Sequence, residues 1–169
     1  MTNSDGHDGP YAAPVKLALR RVPPEWIDYN GHMNVAYYTM ATDQAIDIFL
    51  EQELGMGEAY AARVNQGPYS LQNNACYIAE LLEGAGFTVE VQLIDHDEKR
   101  MHLYLELKNE AGHVAATTEC LLMNVDHITR RSAPYESTIA KRLQTMQSSH
   151  NALPRPKGLG AVVGIRRKG

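Results

Sequence analysis

Apolar positions recur at helical spacing in one stretch of this chain and at every second position through most of the rest. Between Val35 and Leu54, the residues Tyr38, Ala41, Ala45, Ile48 and Phe49 form a stripe that predicts one long helix, closed by Gly55 and Gly57. Residues 15–22 alternate well enough for a first strand, which Pro23-Pro24 ends. A stretch of helical or irregular character follows the helix at 58–67. The period then becomes two: Tyr69 to Ala79 is strand-like, with Asn73, Ala75 and Tyr77 on one face. Gly84 and Gly86 mark a turn before Phe87, Val89, Val91 and Leu93. A turn at 95–99 leads to Met101, Leu103, Leu105 and Leu107. Asn109 to Gly112 makes a tight hairpin into a last strand over 113–125. Residues 136–147 form a short amphipathic helix with Ile139, Leu143 and Met146 on one face.

This order predicts an α+β domain in which a curved antiparallel sheet of about five strands wraps one central helix. The domain spans 14–147, between a disordered N-terminal arm (1–13) and a flexible basic tail (148–169). A sheet of this kind has edges to cover, and pairing two subunits edge to edge covers them. A homodimer or homotetramer is therefore expected.

Composition adds limits. A chain of 169 residues holds one domain with a real core. Its 44% hydrophobic and 21% charged residues are ordinary for a globular protein, and a formal net charge of -4 gives no reason to expect nucleic acid. Basic residues do cluster at Arg20-Arg21, Lys99-Arg100, Arg130-Arg131, Lys141-Arg142 and in the last fifteen residues. Such pairs are mostly solvated, but one or two could meet a phosphorylated ligand. Cys76 and Cys120 are the only thiols and form no disulfide framework, the histidines are scattered without metal-ligand spacing, and no stretch is long enough to span a bilayer. A cytoplasmic protein with no membrane association, no metal and no cofactor is expected.

The chemistry concentrates in Trp26-Ile27-Asp28-Tyr29-Asn30-Gly31-His32-Met33-Asn34, directly before the long helix. Asn30-Gly31 is turn chemistry, because both residues tolerate positive φ. Asn34 reads as the helix N-cap. A carboxylate on a tight loop thus meets the open amides of a helix N-terminus. That pairing suits attack, or activation of water, on a carbonyl whose oxygen becomes negative. An isolated Asp-x-x-Gly-His is more often a plain turn, and it is the density of unusual residues here, the only tryptophan among them, that favours chemistry.

Asp28 to Asn34 resembles the Asp-x-x-Gly-His-x-Asn signature of hotdog-fold acyl-CoA thioesterases of the 4-hydroxybenzoyl-CoA thioesterase type, and the resemblance covers roughly residues 15–145. More narrowly, Trp26 to Asp43 and the strand from Tyr69 to Tyr77 resemble thioesterases associated with carnitine dehydrogenase. The resemblance implies a hotdog fold and hydrolysis of a small acyl-CoA, betainyl-CoA to glycine betaine and CoA in carnitine degradation. It implies Asp28 as nucleophile or general base and the backbone N–H of Val35 as the donor that polarises the thioester carbonyl. Asp43 matches an acidic helix position, while His32 and Asn34 shape the loop. Val35 replaces a second Asn of the family pattern, which removes a side-chain contact but keeps the amide. A thioester is already activated, so one carboxylate and one or two amide donors suffice; no Gly-x-Ser-x-Gly is present.

Trp26, Tyr29, Tyr37, Tyr38, Tyr69 and Tyr77, with Asn73, are candidate acyl-binding residues. Aromatic faces attract a quaternary ammonium by roughly 0.5–2 kcal/mol per good contact, although any single tyrosine here is more often plain core. Arg130 and Arg131, or the Arg166-Arg167-Lys168 cluster, are candidates for the CoA phosphates. Two other functions stay open: a non-catalytic acyl-CoA-binding hotdog protein, and a hotdog dehydratase acting on hydroxyacyl thioesters.

Overall fold

The long apolar stripe folds as its spacing predicts. In the computed structural model, which describes residues 5–165, helix α1 (Val35–Phe49) continues into a π-helical turn, Leu50–Leu54. Asn34 caps its start by accepting the Ala36 N–H, and Gly55 ends it at φ 73°, a left-handed position that favours glycine. Tyr38, Ala41, Thr42, Ala45, Ile46 and Phe49 are buried, then Leu50 and Leu54. Ile48, expected in the stripe, is only half-buried; Ile46 takes the inner face.

Six antiparallel strands cover one side of that helix: β1 (Val15–Lys16), β2 (Arg20–Arg21), β3 (Gln66–Tyr77), β4 (Gly86–His96), β5 (Arg100–Asn109) and β6 (Val114–Asp126). The order is β1-β4-β5-β6-β3, with β2 also on β4. The single first strand expected over 15–22 is two short pairings. Val15 opposes Val91 and Arg20 opposes Phe87, so five residues on one side span four on the other. That slip turns Leu19 to solvent and brings Arg20 onto the inner face opposite Phe87. Phe87, Val89, Val91 and Leu93 of β4, Met101, Leu103, Leu105 and Leu107 of β5, and Cys120 and Leu122 of β6 complete the core under α1. The opposite edge, β3, is long and largely exposed.

Two further helices, α2 (Glu58–Val64) and α3 (Ser137–His150), follow the π turn and β6 respectively. α3 buries Ile139, Leu143, Met146 and His150 against β4 and the π turn. Residues 5–13, expected as a mobile arm, lie against this helix. Tyr11 is buried, and its hydroxyl donates to the His7 carbonyl. Arg142 donates to Asp8 Oδ1 at 2.9 Å and to the Asp5 and Leu54 carbonyls at 2.7 and 2.8 Å. One ring and one guanidinium fork hold this segment, against what its polar composition suggests.

The segment 151–165 has little regular structure, yet it lies on the outer face of the sheet rather than free. The Gly160 N–H donates to Glu119 Oε2 at 2.6 Å, and Asn74 Nδ2 donates to the Ala161 carbonyl at 2.6 Å. A cavity of about 570 Å³ remains between this segment and His102, Glu119, Asn74 and Leu121. Arg166, Arg167 and Lys168 lie outside the described residues.

Arm, α3 and β4 meet at His150. Its Nδ1 accepts the Leu93 N–H at 2.8 Å, and its Nε2–H donates to the Ala12 carbonyl at 2.9 Å. Only the neutral ring can do both, and burial holds its pKa below the ordinary 6.5. In the unfolded chain the ring takes up its proton near that ordinary value. Folding stability is therefore full above about pH 6.5 and declines as the pH falls below it. Thermal melts from pH 8 to 5 should show this decline, and His150→Gln should flatten it; equal slopes for both proteins would exclude His150 as the group responsible.

Candidate active site

Pro24–Trp26 forms a single 3₁₀ turn that leads into the loop, and proline at its start suits a position needing no donor. The chain then doubles back. Asp28 N–H donates to the His32 carbonyl at 3.1 Å and Gly31 N–H to the Asp28 carbonyl at 2.9 Å, with Ile27 bridged to Met33. Gly31 sits at φ 82°, which explains the glycine; Asn30 does not use the positive φ it could tolerate.

The folded loop leaves the Asp28 carboxylate half-buried and held at both oxygens. Oδ1 accepts the Asn30 N–H at 2.8 Å, and Oδ2 accepts Asn34 Nδ2 at 3.1 Å. The other end of the same Asn34 amide accepts the Ala36 N–H at 3.0 Å. The Tyr37 N–H turns back to the Asn34 carbonyl, and the Asn34 N–H reaches the Trp26 carbonyl, both at 2.9 Å. Among the described residues this leaves the Val35 N–H, the first amide of α1, without a hydrogen bond. A carboxylate with spare lone pairs and a free helix-terminal amide thus sit on either side of one capping residue.

The loop is anchored from the β3–β4 connection as well. Met33 N–H donates to the Leu81 carbonyl at 2.8 Å, and Leu81 N–H to the Tyr38 hydroxyl at 2.9 Å. That hydroxyl donates to the Ala79 carbonyl at 3.2 Å, and burial keeps its pKa raised, so the proton stays. The sequence gives no hint of Ala79 and Leu81, since their backbone atoms do the work. His32 Nδ1 donates to the Met33 carbonyl at 3.2 Å.

The expected aromatic cluster divides. Trp26 is buried, with Tyr37 stacked on its ring at 5.3 Å and the Arg20 guanidinium over it at 5.6 Å. Its ring has neighbours already, which argues against the substrate contact expected of it. Tyr29 is 97% exposed. Tyr77 stands edge-on to Tyr38 at 5.6 Å beside the first turn of α1 and is half exposed. Asn73 and Tyr77 lie on the helix-facing side of β3, opposite Cys120 and Ala116 of β6. Burial pushes the Cys120 thiol up to about 11, and the Asp43 carboxylate adds to the rise, so Asp43 borders the same side of α1. Asp43 and Asp47 are exposed, one helical turn apart, and neither has an ion-pair partner among the described residues.

Tyr69, Arg130 and Arg131 are elsewhere. Tyr69 is eight residues before Tyr77 on β3, about 25 Å along the strand at its ordinary rise. Its hydroxyl accepts from Arg130 Nη1 at 3.0 Å. Within one chain these three residues do not join the Asp28 loop. The Arg20-Arg21 pair divides: Arg21 is exposed against Glu110, whereas Arg20 is half-buried beside Trp26. The register slip before β2 hid it.

A family model described as Thioesterase-like superfamily matches residues 22–143. A betainyl-CoA thioesterase of Pseudomonas aeruginosa is 33% identical, over 85% of this chain and 91% of that one. An L-carnitine dehydrogenase/betainyl-CoA thioesterase of Rhizobium meliloti is 29% identical over 92% of this chain, which spans only 31% of that longer protein. A Staphylococcus aureus hypothetical protein solved in complex with CoA superposes with a TM-score of 0.85 at 26% identity, covering 94% of this chain and all of that one.

The double use of Asn34 can be separated. Asn34→Ser keeps an N-cap oxygen but loses the donor to Asp28, so stability should stay within about 0.5 kcal/mol while turnover falls about tenfold. Asn34→Ala should lose the same turnover and about 1 kcal/mol of stability besides. Melts and steady-state rates on the two variants check this, and a serine variant with wild-type turnover would remove Asn34 from the site.

Proposed function

The chain belongs to the Thioesterase-like superfamily, and on that premise we propose that it hydrolyses a small acyl-CoA thioester to the free acid and coenzyme A, betainyl-CoA being the preferred substrate. The observation that carries the reading is the Asp28 carboxylate, held at both oxygens, beside a helix whose first amide is unpaired. The Val35 N–H donates a hydrogen bond to the thioester oxygen as negative charge develops on it. Asp28 either attacks the carbonyl carbon or takes a proton from the water that does. Water adds across the acyl–sulfur bond, the acid leaves with the hydroxyl and the thiol with the proton. One such amide donor typically contributes ~10²–10³ in turnover. This chemistry calls for no metal and no cofactor.

The betainyl preference rests on the names of the relatives and on the residues that β3 and α1 present to one another. Tyr77 meets Tyr38 edge-on near the first turn of α1, Asn73 lies on the same face of β3, and Asp43 of α1 is near Cys120, which Asn73 opposes. Ring faces and a carboxylate are what a trimethylammonium group asks for. The fusion of relatives to a carnitine dehydrogenase supports a place in carnitine degradation. We further place a second copy of the chain along the exposed β3 edge, making a homodimer or a tetramer built from it; the copy would bring a distant Arg131 toward the bound CoA. Sedimentation showing an active monomer would exclude that arrangement.

Asp28→Asn should leave the melting temperature close to wild type and reduce thiol release by about 10³-fold or more. Hydrolysis within a few-fold of wild type would sink the assignment. Thiol release also separates hydrolysis from dehydration or simple binding, neither of which frees CoA. For the acyl group, betainyl-CoA is compared with the near-isosteric, uncharged 3,3-dimethylbutyryl-CoA. Tyr77→Leu should weaken the charged substrate several-fold more than the neutral one, in line with one cation–π contact. Equal use of both by the wild type would refute cation recognition and leave the thioesterase reading standing.

A further inference from the structure

Arg20 is an expensive residue for its place. It is half-buried on β2, in no ion pair among the described residues, and its Nη1 is buried without a hydrogen-bond acceptor. Desolvation holds its pKa below the ordinary value. An apolar side chain of similar length would fill the space without taking a charge out of water. What the guanidinium provides instead is contact with three elements. Its carbon lies 5.6 Å from the Trp26 ring and 5.5 Å from the Phe87 ring, and its Nη2 donates to Gln44 Oε1 of α1 at 2.7 Å.

Those contacts lead to Asp28. The Trp26 ring stacks on Tyr37 in the first turn of α1 with the planes 7° apart. The Trp26 carbonyl accepts the Asn34 N–H, and the Asn34 side chain donates to Asp28. The start of the loop, at Trp26, and its end, at Asn34, are thereby referred to the same helix that carries the Val35 amide. We propose that Arg20 is a positioning residue for the hydrolysis: by clamping Trp26 between β4 and α1 it fixes the spacing of the Asp28 carboxylate and the Val35 N–H. The inference rests on the catalytic reading of Asp28. Small displacements of a reacting group cost much in rate and little in binding, so the effect belongs in kcat.

Trp26 is the only tryptophan, so its fluorescence reports on the clamp directly. Three measurements on Arg20→Met decide: thermal stability, acrylamide quenching of Trp26, and steady-state thiol release. The melting temperature is expected to stay or rise, since an uncompensated charge is removed. Quenching should increase, and kcat should fall about tenfold with KM within about twofold. Asp28→Asn, run alongside, should abolish turnover and leave quenching unchanged. If instead Asp28→Asn still turns over, the catalytic reading fails, while the quenching of Arg20→Met continues to report on the clamp. Unchanged quenching in Arg20→Met, or unchanged kcat, overturns the proposal. A kcat loss that merely tracks a lowered melting temperature overturns it too. Should Arg20→Met not fold, Gln44→Leu supplies the test: the cation stays over the ring but loses its tie to α1. A few-fold lower kcat with raised quenching supports the proposal, and wild-type values for both refute it. Arg20→Lys should recover little of the kcat, because an ammonium cannot serve two rings and Gln44 together.

Discussion

One side-chain amide sets the terms for this structure. The Asn34 carbonyl oxygen closes the first turn of α1 and its nitrogen holds the Asp28 carboxylate, so helix and loop cannot be placed independently. Few residue types can do this: serine and threonine cap but donate elsewhere, and aspartate caps but repels another carboxylate. With the Ala36 N–H consumed by the cap and the Tyr37 N–H by the 3₁₀-like turn, the Val35 amide before them has no partner among the described residues. That free amide is thus a by-product of how the helix is started.

The sheet imposes a second constraint. It covers α1 on one side only, and its long edge β3 presents Tyr69, Leu71 and Tyr77 partly to solvent. An exposed strand of this length usually has something on it. Tyr77 and Asn73 belong to that edge, and Tyr77 touches Tyr38 in the first turn of α1, so the surface that asks for covering reaches the helix start beside the Asp28 loop.

Where the sequence was legible, the reason is strength of period. The stripe of α1 and the strict alternation in β4 and β5 leave little room for another fold, and the Asp28 loop is readable because turn, cap and carboxylate are each local. What could not be read depends on single distant contacts. The arm is held by Tyr11 and Arg142, and the segment after α3 by Glu119 and Asn74; neither pair has a sequence pattern. The slip between β1 and β2 reversed the expected face of Arg20, and with it the surroundings of Trp26. The ring of Trp26 is buried between Tyr37 and Arg20 for that reason, which residue type alone does not disclose. Arg130 and Tyr69 do meet, but far from Asp28, because distance along a strand is invisible when only residue types are compared.

The π-helical turn at Leu50–Leu54 acts as a phase shifter. One residue more than an α-helix needs over that span turns Leu54 inward and points its carbonyl at Arg142. Deleting a single residue there would let the segment relax to an α-helix and rotate all that follows by roughly 100°. Gly55, the capping position, would swing away from the docked arm, although every residue on both sides kept its identity. Docking at this end of the molecule is therefore encoded by a residue count, and substitutions alone would explore it poorly compared with insertions and deletions.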